Sequence, residues 1–292
     1  MRENATGAPG LGWAVDHHVH SVHSWDGSDP VDAYCRRALE LGLGGIVFTD
    51  HVELDPDGKG YRMYRYDAAR AAVEAARQEY PGLHLGLGVE VTYLRSLEGE
   101  IREFLRGKEF DVVMGSLHQV GGVDCSDPRA RAALEESGVD SRNLLDAYSD
   151  ELRAAVESGL FDVLGHIDVF LRLGADMWRQ MEAEVEGRMG EVLDLAVRAG
   201  VAIEVNTSGF RHGVGHPHPG VPTLTAYRHR GGSLVTLGSD AHRAAQLAWE
   251  FPAVAGMLRE LGFGQVYFFR ARRPAPLPLP GTGGGPGACP PP

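Results

Sequence analysis

Cysteine is scarce in this chain of 292 residues, which contains only Cys35, Cys125 and Cys289. The three are widely separated, odd in number and form no CxxC pair, which argues against a disulfide framework and against a thiolate metal site. Few, scattered cysteines are typical of proteins from a reducing compartment. The sequence therefore predicts a cytoplasmic protein.

Long apolar runs are also absent. Residues 1–15 lack an apolar core of signal-peptide length, and no stretch reaches the roughly 18 consecutive apolar residues that span a bilayer. The sequence thus predicts neither export nor a membrane partner.

Positive charge is in short supply, because 28 Lys and Arg residues stand against 40 Asp and Glu residues, a formal net charge of −12. This balance disfavours nucleic acid as a partner unless bound cations reverse the local field. What the chain does have is 43% hydrophobic and 23% charged residues, which is typical of a globular protein with a substantial core. No pattern indicates an oligomeric state.

Short apolar runs alternate with longer stretches of helical period. This alternation is typical of βα units around a parallel sheet, and it predicts one α/β domain over residues 14–273 after a flexible segment at 1–13. Residues 274–292 are rich in Pro and Gly and are expected to form a disordered tail. The predicted strands are Val15–His20, Gly45–His51, Leu85–Tyr93, Val112–His118, Val163–Asp168, Ala202–Thr207 and Leu234–Asp240, with Val266–Phe269 as an eighth strand or as packing at the rim. The predicted helices are Pro30–Leu41, Asp67–Tyr80, Leu97–Gly107, Ser141–Ser158, Met177–Ala199, Pro222–His229 and Ala244–Leu261.

Histidine and carboxylate residues stand at the ends of the predicted strands. The first strand ends in His18, Val19 and His20, and residues two apart share one face of a strand, so both imidazoles can meet one metal ion. In a closed parallel barrel the carboxyl ends of all strands converge on one mouth. Imidazole and carboxylate suit zinc, iron and manganese, and the sequence therefore predicts a metal site at that mouth. Its candidate ligands are His18, His20, Asp26, His51, Glu90, His118, His166, Asp240 and His242.

The remaining histidines and the aspartates beside the candidate ligands are assigned structural roles. His17 lies on the opposite face of the first strand from the paired histidines. Asp16, Asp50 and Asp168 adjoin candidate ligands and either orient imidazoles or point away from them. The histidines expected at the solvated surface are His84, His212, His216, His218 and His229, of which His216 and His218 have the alternative of lining the mouth.

The order of these motifs resembles that of the PHP family, the polymerase and histidinol phosphatase metallophosphoesterases. The resemblance extends over about residues 15–244. It implies a distorted, TIM-like (β/α)7 barrel of the α/β class with a metal site at the carboxyl ends of the strands. The shared elements are HxH at His18 and His20, Asp26, TDH ending at His51, Glu90, SLH ending at His118, GH ending at His166, and SDAH with Asp240 and His242.

The same resemblance implies two or three divalent ions, which are zinc, manganese or iron. One ion would be held by His18, His20, Glu90 and Asp240, a second by Glu90, His118 and His166, and a third by Asp26, His51 and His242. The reaction implied is direct, in-line attack on a phosphate monoester by a hydroxide bridging the ions, because metal coordination lowers the pKa of water towards neutrality. The candidate catalytic residues are Glu90, Asp240, His242 and Asp26. The choice of the group that donates a proton to the leaving alcohol remains open. The candidates are Asp26, His51, His242 and a water on the ions.

Three features resemble the histidinol-phosphatase branch of the family. Asp26 stands where many members have a third histidine, and the segments GHIDVFLR, with Arg172, and IEVNTSGFR, with Arg211, are similar to that branch. Guanidinium groups donate paired hydrogen bonds to phosphate, so both arginines are candidate phosphate-binding residues. Gln119 and Thr92 depart from the branch, where an aromatic residue and an aspartate are common.

The favoured hypothesis is therefore hydrolysis of a small-molecule phosphate monoester, L-histidinol phosphate, in histidine biosynthesis. One alternative keeps the same metals but acts on nucleotides or oligonucleotide ends. The lack of a basic stripe with interleaved aromatic residues argues against it. The other alternative is an inactive, metal-binding regulatory module, against which the apparently complete ligand set argues.

Overall fold

Parallel strands form the frame of the computed structural model, which describes residues 10–138, 140–174, 177–178 and 181–281. The longer of the parallel strands are buried along their whole length, as expected of parallel strands that are covered on both faces. The strands are β1 (Val15–Val19), β2 (Gly45–Phe48), β3 (His51–Val52), β4 (His84–Thr92), β5 (Val112–Ser116), β6 (Gln119–Val120), β7 (Val123–Asp124), β8 (Val163–Leu164), β9 (Ala202–Asn206), β10 (Val235–Gly238), β11 (Gln265–Arg270) and β12 (Arg273–Pro278).

Seven of these strands run in the order β1-β2-β4-β5-β8-β9-β10, and β3 continues the pairing of β4 beyond the end of β2. The first and last strands of this path meet. His20 N donates to Ala241 O at 2.8 Å, and Ala241 N donates to His18 O at 3.3 Å. The sheet is thus a nearly closed parallel barrel, and the predicted α/β barrel fold is confirmed.

Helices cover the outside of the barrel. Helix α1 shows why they form where they do, since Pro30 precedes it and Gly42, with a φ of 61°, ends it in the left-handed conformation. No helix within the described residues combines the length and the apolar character needed to cross a membrane. The α-helices are α1 (Val31–Leu41), α2 (Tyr66–Glu79), α3 (Glu98–Leu105), α4 (Ala130–Ser137), α5 (Ser141–Glu157), α6 (Glu182–Ala199), α7 (Ser208–Arg211), α8 (Val221–His229) and α9 (Phe251–Glu260).

Two predicted helices are divided in the structure. In the first, Met177 and Trp178 are helical, residues 179–180 lie outside the described residues, and α6 begins at Glu182 after a turn at Met181. The helix predicted over Ala244–Leu261 is a short 3-10 turn at Ala244–Gln246 followed by α9. Glu250 lies between them with a φ of 58°, which breaks the helical path, and a proline in the first turn of α9 favours a new start there.

The C-terminal expectation is wrong for residues 274–278, because they belong to β12, which pairs antiparallel with β11. Every second residue of β12 is proline, and a strand can accept proline on the side that faces away from its partner. The residues between the prolines include Leu277, which is only 2% exposed. Residues 282–292 of the predicted tail lie outside the described residues.

The N-terminal expectation also fails in part. Residues 10–13 belong to the segment expected to be flexible, yet Trp13 is 2% exposed and Leu11 packs against the core. Burial of a large aromatic side chain fixes this stretch to the barrel. Residues 1–9 lie outside the described residues.

Candidate metal centre

The carboxyl end of β1 presents two imidazoles to the inside of the barrel. The side chains of His18 and His20 are fully buried, and their ring centroids lie 4.9 Å apart. His17 points the other way, where its Nε2 accepts a hydrogen bond from Phe269 N of β11 at 3.1 Å. The alternation of a strand therefore separates the site residues from a structural histidine, as predicted.

Glu90 lies at the centre of the site. This β4 carboxylate is 1% exposed and has five imidazoles around it. Its Oε2 lies 3.2 Å from His18 Nε2, 3.5 Å from His20 Nε2 and 3.0 Å from His51 Nδ1. Its Oε1 lies 3.0 Å from His166 Nε2 and 3.4 Å from His118 Nε2.

Two further carboxylates close the site on the side of β10. Asp240 Oδ1 lies 3.4 Å from His20 Nε2 and 3.8 Å from His18 Nε2. Asp26 Oδ2 lies 3.0 Å from His242 Nε2 and 3.6 Å from His51 Nε2. The structure thus brings all nine candidate ligands to one end of the barrel.

The donor atoms fit divalent cations. His18 Nε2, His20 Nε2, His51 Nδ1 and Glu90 Oε2 are buried, and none has a hydrogen-bond partner among the described residues. Buried polar atoms normally have partners, so atoms that converge without them are suited to a cation. Neutral imidazole and carboxylate are also the donor types that zinc, manganese and iron accept.

Within the described part of the chain, three groups of side chains have donor atoms within 4.8 Å of one another. His51 belongs to two of these groups, so it links ion positions that the resemblance treats separately. Asp240 and His166 lie outside all three groups, although both contact members of them. The groups are His20, Asp26, His51 and His242; His18, His20 and Glu90; and His51, Glu90 and His118.

The charges of the site favour cations. Burial opposes ionisation of Glu90, but the neighbouring imidazoles, His18 first, hold the pKa of its carboxyl well below the usual range. For Asp240, burial raises the pKa of the carboxyl and His18 lowers it. The resulting pKa also lies well below the usual range. For His51 burial dominates and lowers the pKa to about 3, so that this imidazole is neutral. Ionised carboxylates beside a neutral imidazole are the forms in which these ligands bind metals.

Strand β9 carries a polar network that the sequence reasoning missed. Glu204 is fully buried, and its Oε1 lies 2.6 Å from His18 Nδ1. Its Oε2 accepts hydrogen bonds from His166 N at 2.9 Å and from Asn206 Nδ2 at 3.1 Å. The signal for it was available, because polar residues at alternate positions of an otherwise apolar strand indicate inward-facing polar side chains.

The close approach of Glu204 to His18 depends on a glycine in the neighbouring strand. A Cβ atom at Gly238 of β10 would lie 2.0 Å from Glu204 Oε1 and 2.6 Å from His18 Cβ. No side chain fits there while this contact is kept. Glu204 therefore fixes the ring of His18 with its Nε2 turned towards Glu90.

The aspartates beside the candidate ligands hold backbone rather than the candidate imidazoles. Asp16 accepts hydrogen bonds from Ser239 N and Ala248 N at 2.9 and 2.8 Å. Asp50 accepts hydrogen bonds from the backbone N and Oγ of Ser21 at 2.6 and 3.0 Å. Burial raises the pKa of Asp16 to about 6 and that of Asp50 to about 7. These residues fix the loops that follow β1, β2 and β10.

Two of the histidines expected at the surface are buried, and that expectation is wrong for them. His218 is fully buried because its backbone pairs with Asn206, and its Nδ1 lies 2.6 Å from Asp168 Oδ1. His84 is 6% exposed in β4, where its ring packs against Phe268. His212 and His229 are exposed, as expected, and His216 is intermediate.

Both candidate phosphate-binding arginines line a cleft of about 600 Å³ that opens above the histidines. Arg172 Nη2 donates to Ser208 Oγ at 2.7 Å and lies 3.9 Å from Asp240 Oδ2. Arg211 Nη2 donates to Asp240 O at 2.8 Å. Arg172 Nε and Arg211 Nη1 are buried without a hydrogen-bond partner among the described residues. The geometry leaves guanidinium donors beside the site for an anionic group.

Known proteins are similar to this chain in sequence. The model of the PHP domain matches residues 16–208. A probable histidinol-phosphatase from Deinococcus radiodurans is 30% identical over 271 residues, which cover 89% of this chain and 98% of the relative. A histidinol-phosphatase from Lactococcus lactis subsp. lactis is 23% identical over 260 residues, with 87% of this chain and 94% of the relative covered.

A solved structure is similar in fold. The crystal structure of histidinol phosphate phosphatase from Lactococcus lactis subsp. lactis, complexed with zinc, L-histidinol and phosphate, matches with a TM-score of 0.73 at 19% sequence identity. The match covers 90% of this chain and 98% of that chain. This similarity supports the barrel fold described above.

Proposed function

The chain belongs to the PHP family, and we propose that it is a metal-dependent phosphomonoesterase that hydrolyses L-histidinol phosphate to L-histidinol and phosphate in histidine biosynthesis. The observation that carries this proposal is the convergence of five imidazoles on the buried carboxylate of Glu90. The relatives named as histidinol-phosphatases support the choice of substrate.

The residues that would hold two or three divalent ions follow from the three groups of side chains. His18 and His20 share Glu90, with Asp240 at 3.4 to 3.8 Å from their rings. On the other side of Glu90, His118 and His166 approach its Oε1. Towards the mouth, Asp26, His51 and His242 form a third position with His20. Zinc, manganese and iron all suit this donor set. When bound, such ions supply positive charge for the phosphoryl oxygens and lower the pKa of water, which provides a nucleophile at neutral pH.

The arginines act on the phosphate from outside the ion positions. Arg172 lies beside the side-chain carboxylate of Asp240. Arg211 donates a hydrogen bond to the backbone oxygen of the same residue. Both arginines line the cleft, and each has a buried donor without a hydrogen-bond partner among the described residues. A phosphoryl group between these donors and the histidine cluster would be clamped on two sides, because guanidinium binds phosphate oxygens through charge-assisted hydrogen bonds.

The rim of the cleft fits a small molecule. The cleft volume of about 600 Å³ lies within the range of roughly 300–1,000 Å³ that is usual for small-ligand pockets. The charges of the rim are mixed, with Lys59 and Arg129 among Asp57, Asp124 and Asp127. A positive groove for a nucleic-acid backbone is therefore not formed by these residues.

A cytoplasmic location is part of this proposal. Cys35 and Cys125 are buried free thiols, and burial raises the pKa of each to about 12. Because these two cysteines form no disulfide bond, they give the fold no dependence on an oxidising compartment.

The test compares kcat/KM for L-histidinol phosphate, adenosine 5′-monophosphate and a 5′-phosphorylated oligonucleotide, on protein reconstituted with zinc or manganese. The expected value for L-histidinol phosphate is about 10⁴ M⁻¹s⁻¹ or more, and at least about tenfold above the other two. His118→Ala serves as the blank. Preference for the nucleotide or the oligonucleotide would overturn the substrate, and full ion binding without hydrolysis of any of the three would favour a regulatory module.

A further inference from the structure

Three side chains from different elements form a continuous hydrogen-bonded chain behind the ion positions. Thr92 Oγ1, at the end of β4, donates to Glu53 Oε1 at 2.7 Å. The same oxygen lies 2.7 Å from His118 Nδ1, directly after β5. Glu53 and Thr92 are 9% and 4% exposed, so both are nearly buried where they line the cleft.

The protons along this chain can be assigned by counting donors. A threonine hydroxyl has one proton, and Thr92 gives it to Glu53 when that carboxyl is ionised. Towards His118 the hydroxyl oxygen must then accept, so the proton of a neutral His118 ring sits on Nδ1. The lone pair is thereby placed on Nε2, which lies 3.4 Å from Glu90 Oε1 on the inner side of the site.

His18 provides a comparison within the same molecule. Its Nδ1 lies 2.6 Å from the carboxylate of Glu204, with nothing between them. His118 has no carboxylate at that distance from its Nδ1 among the described residues, and the hydroxyl of Thr92 bridges the gap to Glu53. A carboxylate thus orients His18 directly. On the other side of Glu90, a carboxylate orients His118 through the hydroxyl of Thr92.

We propose that Thr92 and Glu53 are positioning residues that fix the tautomer and the ring orientation of His118 for metal binding, with Glu53 acting through the hydroxyl of Thr92. This inference rests on the metal site of the proposed function but not on its substrate. Carboxylates that orient a ligating imidazole typically change metal affinity about 10-fold to 100-fold when they are removed.

The test measures zinc affinity by chelator competition on the full chain, without substrate. Thr92→Val removes the hydroxyl and nearly keeps the shape of the side chain. It is expected to lower the affinity for the most affected zinc ion about 10-fold to 100-fold. Thr92→Ser keeps the hydroxyl and is the matched control, with an affinity expected within about threefold of the unchanged protein. Thermal unfolding of the metal-free variants separates loss of the site from loss of the fold.

A double-mutant cycle tests the order of the chain. Glu53 also lies 3.5 Å from His51 Nδ1, so it has a second route to the ions. If Glu53 acts mainly through Thr92, Glu53→Gln lowers zinc affinity less in the Thr92→Val protein than in the unchanged protein, since coupled residues are not additive. Full additivity would overturn the proposed order, and zinc affinity unchanged in Thr92→Val, or reduced equally in Thr92→Ser, would overturn the role of the hydroxyl. If Thr92→Val fails to fold, Thr92→Ala replaces it as the variant without the hydroxyl, with unchanged zinc affinity as the contrary result.

None of these outcomes depends on the identity of the substrate. Unchanged protein that binds zinc but does not hydrolyse L-histidinol phosphate would contradict the proposed function and leave the affinity differences between Thr92→Val and Thr92→Ser intact. Hydrolysis with equal zinc affinity in both variants would contradict the positioning role alone.

Discussion

Glu90→Gln is expected to lower kcat/KM for L-histidinol phosphate about 1,000-fold, which corresponds to about 4 kcal/mol of transition-state stabilisation. Among the described residues, Glu90 is the one carboxylate within 3.5 Å of imidazoles from five different sequence positions. Glutamine keeps the shape of the side chain but removes its charge and replaces one oxygen with a donor that cannot bind a cation. Two groups of candidate ligands lose a member at once.

The measurement is steady-state phosphate release by variant and unchanged protein at equal metal concentration. Glu74→Gln is the matched control, because Glu74 is exposed in α2 and its only ion pair, among those of the described residues, is with Arg70 at 2.9 Å. Such an exposed pair contributes little to stability, so this variant should keep activity within about twofold. A Glu90→Gln enzyme with the activity of the control would contradict a role for this carboxylate at the centre of the site.

Arg172→Ala is expected to lower kcat/KM about 100-fold, since a hydrogen bond to a charged group contributes about 1.5–3 kcal/mol. The side chain of Arg172 is 9% exposed and its Nε has no partner among the described residues, which suits a phosphoryl oxygen as acceptor. Arg172→Lys should recover only part of the loss, because an ammonium group does not reproduce the paired donors of guanidinium.

The control for this variant is Arg188→Ala. Arg188 is 42% exposed and pairs with Asp146 at 2.7 Å on the surface, away from the cleft. Its loss should leave kcat/KM within about twofold. The phosphate-binding assignment fails if Arg172→Ala and Arg211→Ala both behave like this control.

The positions of the site residues were largely predictable because the alternation of side chains along a strand and the geometry of a parallel barrel act together. Residues two apart share a face of a strand, which sets His18 and His20 together and turns His17 away. A parallel barrel then brings the carboxyl ends of distant strands to one mouth. Neither step needs knowledge of side-chain contacts, so the strand ends could be read from the sequence alone.

The features that escaped prediction depend on partners outside the segment concerned. The Pro-rich strand β12 forms because β11, which ends only two residues before it, offers it an edge, and nothing in the composition of β12 itself favours order. His218 is buried because its loop folds back onto Asn206 at the end of β9. Glu204 reaches His18 only where Gly238 leaves space between two strands. Local patterns do not contain such tertiary contacts.

The ion content of the purified protein tests the central claim most directly. Inductively coupled plasma mass spectrometry should find two or three divalent ions per chain, held by the residues around Glu90. Chelation should remove these ions and abolish phosphate release from L-histidinol phosphate. Added zinc or manganese should restore both the bound ions and the activity. A chain that hydrolyses the substrate at an unchanged rate after all divalent ions have been removed would contradict the account.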